Sequence, residues 1–79
     1  MKLPRDVSGE DLARRLGKLG YEVTRQTGSH MRLVRRGEAG HRLTIPAHDH
    51  LKVGTLDGIL KDVAAQLGIT RDQIVRELW

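Results

Sequence analysis

Residues 21–46, YEVTRQTGSHMRLVRRGEAGHRLTIP, predict the centre of the fold. Apolar and polar residues alternate in three short runs, the pattern of half-buried strands whose successive side chains point to opposite faces of a sheet. The runs are separated at residues 27–29, TGS, and at residues 35–40, RRGEAG, and both segments contain the glycines typical of turns. Pro46 ends the third run because proline has no N–H to donate to a neighbouring strand. The stretch therefore predicts a three-stranded antiparallel meander.

A helix is predicted before the meander. Ser8 can act as its N-cap, because a serine hydroxyl accepts a hydrogen bond from a free N–H of the first turn, and Asp11 stands at the third helical position. Gly20 supplies the stop, since glycine adopts the left-handed conformation in which many helices end. The apolar residues at helical spacing between these ends are Leu12, Leu16 and Leu19.

Two further helices are predicted after the meander. The first is capped at Thr55 and ends at Gly68, and the second begins with a capping box formed by Thr70 and Gln73. The element order is then α-β-β-β-α-α, which is an α+β fold. No linker, repeat or low-complexity tract divides residues 1–79, so we expect one domain.

Strict alternation assigns the strand residues to the two faces of the sheet. The face covered by the helices is predicted to carry Tyr21, Val23, Met31, Leu33, Leu43 and Ile45. The opposite face is predicted to carry Thr24, Gln26, His30, Arg32, Arg42 and Thr44. Because the second set is polar throughout, we expect it to remain exposed, with the helices packed on only one side of the three-stranded sheet.

The composition restricts the kinds of site that the chain can build. A chain of 79 residues buries only about 60% of its surface on folding, which favours an open site over a deep enclosed one. It has no cysteine, which excludes disulfides and thiolate metal sites. No apolar run is long enough to cross a bilayer, and residues 1–12 lack the apolar segment of a secretion signal, so we expect a cytoplasmic protein. We expect no membrane partner, no metal and no cofactor.

Positive charge is concentrated in one part of the chain. The formal net charge is +4, yet residues 14–36 hold seven arginines or lysines against Glu22 alone, and the remainder is net acidic. Such a cluster favours a polyphosphate partner, because each cation placed on a phosphate releases condensed counterions. A solvated surface that binds nothing is the alternative. A membrane surface is disfavoured, because no basic helix carries exposed bulky apolar residues.

His30 lies where the second strand begins, two residues before Arg32 and on the same face. An imidazole titrates near neutral pH, so it can take a proton from a ribose 2′-hydroxyl or give one to a leaving oxygen. Arg32 can offset the charge that builds on the phosphorus oxygens. The two residues together suffice for RNA cleavage without a metal ion. Alternatively, His30 only caps the turn through a backbone hydrogen bond.

The other histidines have weaker claims to a function. His48 and His50 flank Asp49 and would form only a poor two-ligand metal site, so hydrogen bonding within the loop is favoured. His48 is also a candidate for a second acid or base. His41 falls on the inward-facing side at the end of a strand, where a partly buried structural histidine is expected. Lys52 either binds phosphate or stays in solvent.

Residues 63–78, VAAQLGITRDQIVREL, also have the pattern of a helix-turn-helix, which predicts a DNA-binding regulator as a competing function. Within the recognition helix, however, Arg71 and Arg76 are balanced by Asp72 and Glu77. No net charge is left there to meet DNA, and the meander would lose the helices that cover it. This hypothesis therefore ranks last.

Four segments occur in the order and spacing of the HicA toxins, also called YcfA-like proteins. They are MKLPRDVSGEDL at residues 1–12, RQTGSHMRL at 25–33, HRLTIPAH at 41–48 and LKVGTLDGILKDV at 51–63. The sequence resembles this family over nearly its full length. It departs from many members at Asp57, which stands in place of a basic residue, and in continuing through a further capped helix.

The resemblance implies a fold like the double-stranded RNA-binding domain and an mRNA endonuclease that is the toxin of a type II toxin–antitoxin pair. The family's catalytic histidine, in the GSH motif, corresponds to His30. A HicB-type antitoxin is implied as the partner that blocks this face. Together with the charge pattern this predicts a metal-independent ribonuclease with substrate-binding residues Arg25, Ser29, Arg32 and Lys52. An RNA-binding module without catalysis is the alternative that the same basic face would serve.

Overall fold

The computed structural model describes residues 2–37 and 40–79. Its elements are α1 (Gly9–Leu16), a 3₁₀ turn (Gly17–Leu19), β1 (Tyr21–Thr27), β2 (His30–Arg35), β3 (Arg42–Pro46), α2 (Val53–Leu67) and α3 (Arg71–Leu78). The strands form one antiparallel sheet in the order β1-β2-β3. This confirms the predicted α+β fold, its element order and its meander. Glu38 and Ala39, in the predicted turn between β2 and β3, lie outside the described residues.

Two of the three predicted helix starts are formed by side-chain caps. The Asp11 backbone N–H donates to the Ser8 hydroxyl at 3.0 Å, which fixes the first turn of α1. At α3, the Gln73 N–H donates to the Thr70 hydroxyl at 3.1 Å, and the Thr70 N–H donates to the Gln73 side chain at 2.8 Å. These reciprocal bonds satisfy N–H groups that a helix terminus leaves without partners. The predicted capping box is therefore confirmed.

The predicted start of α2 was wrong by three residues. The helix begins at Val53 rather than after a cap at Thr55, and its N-cap residue is Lys52, whose side chain makes no capping hydrogen bond. The Leu56 N–H donates to the Lys52 carbonyl at 3.0 Å, so the first turn closes through the backbone alone. A start of this kind has no side-chain signature in the sequence. The predicted stop at Gly68 is confirmed, with the residue in the left-handed conformation.

The three helices cover one face of the sheet. The strand residues buried against them are Tyr21, Met31, Leu33, Leu43 and Ile45, and the same core contains the leucines of α1 and α2. No polar or charged residue among the described residues is buried. Val23 pairs with the buried Leu33 and so lies on the predicted face, but its predicted burial against the helices was wrong, because 46% of its surface is exposed. β1 is an edge strand whose only buried residue is Tyr21, so the cover provided by the helices does not extend along it.

α3 completes this core. Its buried side chains are Ile74, Val75 and Leu78. Asp57 of α2 contacts α3 directly, because its carboxylate accepts a hydrogen bond from the Arg71 guanidinium at 2.9 Å. Lys61, one turn further along α2, contacts the same carboxylate at 2.9 Å. The acidic residue at position 57 therefore serves packing between α2 and α3.

No helix within residues 2–37 and 40–79 has both the length and the apolar character that crossing a bilayer requires.

Candidate nucleic-acid interface

The uncovered face of the sheet carries two adjoining depressions. One, of about 430 Å³, lies at the start of β2 and is lined by Arg25, Thr27, His30, Arg32 and Thr44. The other, of about 440 Å³, lies further along the strands, and its lining includes Thr24, Arg25, Arg32, Val34, Arg42 and Thr44. Three residues are common to both, so the two depressions form one continuous surface, which we call the basic face. Its volume falls in the range of small-molecule binding sites, although it is open to solvent.

A β-bulge places Arg25 on the basic face. Val23 pairs with Leu33, but the next pair along the strands is Arg25 with Arg32, so β1 contains one residue more than β2 over this interval. The extra residue is Thr24, whose hydroxyl donates to the Arg32 carbonyl at 3.4 Å. An inserted residue reverses the alternation beyond it, which turns Arg25 to the side of Arg32.

The same bulge overturns one predicted position. Strict alternation placed Gln26 on the exposed face, but Gln26 pairs with the buried Met31 and therefore lies on the opposite side of the sheet. Thr27 takes its place beside His30, with which it pairs across the hairpin. The other residues predicted on this face, Thr24, His30, Arg32, Arg42 and Thr44, all line the two depressions.

His30 is the first residue of β2 and is held at the end of the basic face by the hairpin. Gly28 takes a φ of 55°, which suits the first central position of a two-residue hairpin turn. The Ser29 carbonyl accepts a hydrogen bond from the Ala47 N–H at 2.6 Å, tying the turn to the residue that follows β3. The Ser29 hydroxyl lies 3.4 Å from His30 Nδ1. Among the described residues the exposed imidazole makes no hydrogen bond to the backbone.

The basic face has no counter-charge of its own. Among the described residues, the guanidinium groups of Arg25, Arg32 and Arg42 have no hydrogen-bond or ion-pair partner, and no acidic residue lines either depression. Other arginines of the basic segment are paired. Arg36 contacts Glu22 at 3.0 Å, and the Arg35 guanidinium donates to the Leu19 carbonyl at 2.8 Å. Three unpaired arginines thus share one continuous surface with His30, as expected for an anion-binding surface.

Lys52 and His48 are not brought to this surface. Lys52 is exposed at the start of α2 and lines a separate depression with Arg5, Asp6 and His50. The side chain of His48 is exposed, and its carbonyl accepts a hydrogen bond from the Gly9 N–H at 2.9 Å. His50 Nδ1 lies 3.7 Å from an Asp6 carboxylate oxygen. In the part of the chain that the structure describes, no three residues of metal-ligand type converge.

His41 is structural, as predicted. Its Nδ1 lies 2.6 Å from the Tyr21 hydroxyl, its Nε2 lies 3.4 Å from an Asp62 carboxylate oxygen, and its side chain is 14% exposed. Burial raises the pKa of Tyr21 above its ordinary value of 10.0. The contacts of His41 therefore link the first residue of β1 to α2, on the side of the sheet away from His30.

The region that resembles a helix-turn-helix packs into the core of the protein. Arg71, one of the two arginines of its second helix, donates to Asp57 and to Asp72 at 2.9 Å each. The apolar residues of that helix are buried in the core. The two helices therefore serve as the cover of the sheet.

The family model described as the HicA toxin of bacterial toxin–antitoxin systems matches residues 9–65. The chain belongs to the HicA toxin family. The match spans α1, the whole meander and most of α2, and it contains every residue that lines the basic face. α3 lies beyond it. No curated protein and no solved structure gives a significant match. As a HicA family member, the chain is a toxin of a toxin–antitoxin system, which implies an antitoxin partner.

Proposed function

We propose that this HicA protein is an endoribonuclease that cleaves mRNA without a metal ion, using His30 to transfer the proton. The observation that carries the proposal is the position of His30, an exposed imidazole at one end of a surface with three unpaired arginines. HicA toxins are known ribonucleases, which supports the same reaction class. Because the proposed substrate is mRNA, the proposed site of action is the cytoplasm.

The reaction follows from the nucleophile that RNA itself supplies. The His30 imidazole takes the proton of a ribose 2′-hydroxyl, and the resulting oxygen attacks the adjacent phosphorus. The bond from phosphorus to the 2′-oxygen forms, and the bond to the 5′-oxygen breaks. The leaving oxygen takes a proton from the same imidazole or from water, and the product ends in a 2′,3′-cyclic phosphate. DNA has no 2′-hydroxyl and would not be cleaved.

The residues around His30 have separate roles in this mechanism. Arg25 and Arg32 bind the scissile phosphate and stabilise the negative charge that develops on its oxygens. Ser29 contacts the substrate and, through its hydroxyl at 3.4 Å from Nδ1, orients the imidazole. Lys52 lies in a separate depression, so it binds a more distant phosphate of a long RNA. His48, the other candidate acid or base, does not line the basic face, so the proposed mechanism assigns the proton transfers to His30 and water.

The antitoxin that neutralises this toxin is proposed to be HicB-like and to cover the basic face. A partner that does so must carry acidic side chains, because otherwise it would leave Arg25, Arg32 and Arg42 desolvated without counter-charges. The second candidate function is RNA binding without catalysis, which the unpaired arginines favour on their own. Duplex DNA binding through residues 63–78 ranks last, since Arg71 is already held by two carboxylates.

Induced expression in bacteria tests the function. Wild type, His30→Ala and the control variant His50→Ala are produced at equal levels, and growth and the integrity of total mRNA are followed. We expect arrest and mRNA decay with wild type and His50→Ala, and neither with His30→Ala. Circular dichroism must show that all three chains are folded. Arrest and decay that persist in His30→Ala would contradict the catalytic role, and mRNA that stays intact in cells producing the wild type would favour the binding module.

A further inference from the structure

The part of the basic face furthest from His30 has no role in the reaction described above. It consists of Thr24, Val34 and Arg42, on three different strands. Arg42 lies directly opposite Val34 in the β2–β3 pair. Val34 is four residues from His30 along β2, so the two ends of the face are separated by about 13 Å. That distance exceeds what the sugar and phosphate at the cleavage point can occupy.

The far end nevertheless has the features of a binding site for an anion. The Arg42 guanidinium has no partner among the described residues, and it lies diagonally across the β2–β3 pair from the equally unpaired Arg32. Val34 is only partly buried and gives the depression an apolar floor. The Thr24 hydroxyl, exposed by the bulge, adds a polar group at the rim. A cation, an apolar floor and a hydroxyl match the phosphate, base and sugar of one nucleotide.

We propose that Thr24, Val34 and Arg42 form a second nucleotide subsite, which holds a nucleotide flanking the cleavage point of single-stranded RNA. The inference rests on the proposed function, since it extends the same substrate along the same surface. The two depressions share Arg25, Arg32 and Thr44, so a chain bound at His30 continues into the second depression without crossing a ridge.

The subsite accepts bases by stacking on guanidinium planes. Tyr21 and Trp79 are the only large aromatic residues in the chain, and Tyr21 is 3% exposed on the other side of the sheet. Aromatic platforms, on which many single-strand-binding proteins stack bases, are therefore missing from this face. Arginine stacks on any base, and Arg42 also reaches phosphate, so we expect little preference for base identity at this position.

NMR titration of the isotope-labelled protein with 2′-O-methyl RNA tests the subsite. These oligonucleotides keep the phosphates but cannot be cleaved through the 2′-oxygen. We expect a dinucleotide to shift the amide signals of Arg25, Thr27 and His30 only. A tetranucleotide should extend the shifts to Thr24, Val34 and Arg42. In Arg42→Gln, affinity for the tetranucleotide should fall about tenfold, because one charged hydrogen-bonding partner is lost.

Arg76→Gln is the matched control, because Arg76 is an exposed arginine on α3 and does not line the basic face. It should bind the tetranucleotide as the wild type does. Tetranucleotide shifts confined to the His30 end, or equal affinity in Arg42→Gln and wild type, would overturn the subsite. Cleavage of unmodified RNA by the wild type is measured alongside. Its absence, with the extended shifts present, would contradict the ribonuclease function and leave the subsite standing.

Discussion

Arg25 lies directly opposite Arg32 in the β1–β2 pair, and both side chains line the depression that contains His30. Like charges placed directly across a strand pair destabilise a sheet. Neither guanidinium has a partner among the described residues. The fold therefore retains an unfavourable arrangement that a bound phosphate would relieve, and this arrangement exists only because the bulge turns Arg25 outward.

Arg32→Gln is expected to weaken RNA binding without weakening the fold. Loss of one phosphate contact should reduce the slope of log K against log salt concentration by about 0.7 for a single strand. The free energy of unfolding should stay the same or rise by about 0.2–1 kcal/mol, because a like-charge pair is removed. Fluorescence anisotropy across a salt series and urea denaturation measure the two effects. Arg76→Gln serves as the control, and a slope that Arg32→Gln leaves unchanged would remove this residue from the interface.

Gly9→Ala is expected to destabilise the protein by about 1–3 kcal/mol, the usual cost of overpacking. A Cβ at Gly9 would overlap the Pro46 carbonyl oxygen, since the start of α1 packs directly on the end of β3. Gly58→Ala is the matched control, because a Cβ there meets open space in the interior of α2. It should stabilise the protein by about 0.5–1 kcal/mol. Urea denaturation measures the free energy of unfolding of both variants. Equal changes in the two would show that the contact of Gly9 with Pro46 does not matter for stability.

Tyr21 is expected to ionise only at unusually high pH. It is the only tyrosine in the chain, so the absorbance of phenolate reports on it alone. Burial raises its pKa, and the stability that the neutral phenol contributes is complete below its ordinary pKa of 10.0 and is lost as pH rises through the folded-state value. Wild type should therefore lose more stability than Tyr21→Phe between pH 9 and about pH 12.

At neutral pH the same variant tests the bond to His41. Tyr21→Phe removes the hydroxyl that lies 2.6 Å from His41 Nδ1, which should cost about 0.5–1.5 kcal/mol in urea denaturation. A phenolate midpoint at the ordinary value in the folded protein would contradict the burial of this side chain.

Asp57→Asn is expected to remove part of the acid sensitivity of the fold. Hydrogen bonds from Lys61 and Arg71 lower the pKa of Asp57, so the stability that its carboxylate contributes is complete above the ordinary value of 3.8 and is lost as pH falls through the lower folded-state value. Urea midpoints should therefore differ between wild type and Asp57→Asn at pH 7 and converge at about pH 2. A difference that persists unchanged in acid would indicate that packing, and not charge, is responsible.

Side-chain caps and alternation made most of the fold predictable. Ser8 and Thr70 predict where their helices begin, because a capping hydrogen bond needs particular side chains at a fixed spacing. The faces of β2 and β3 follow from alternation alone, since both strands are regular and half-buried. The start of α2 was missed because its first turn closes through the Lys52 carbonyl, a group that every residue has.

The candidate site was less predictable because of the bulge. The bulge contains neither glycine nor proline, so the sequence of β1 does not mark Thr24 as the inserted residue. Alternation consequently exchanged the sides of Arg25 and Gln26. Arg25 was predicted to bind phosphate because of its charge alone. Strict alternation would have turned its side chain toward the helices, whereas the bulge turns it to the basic face. The exposure of Val23 has a related cause, since burial along an edge strand depends on how far the helices extend.

The central claim is that His30 transfers the proton in metal-free RNA cleavage, and cleavage of a defined RNA by purified protein tests it most directly. Wild type and His30→Ala are incubated with the RNA in the presence of a chelator, and the products are analysed for 2′,3′-cyclic phosphate ends. We predict that the wild type produces them with chelator present, that a matching DNA stays intact, and that His30→Ala cleaves at least 100-fold more slowly, as expected for loss of a general base. Equal rates for the two proteins, or activity abolished by the chelator, would contradict the account.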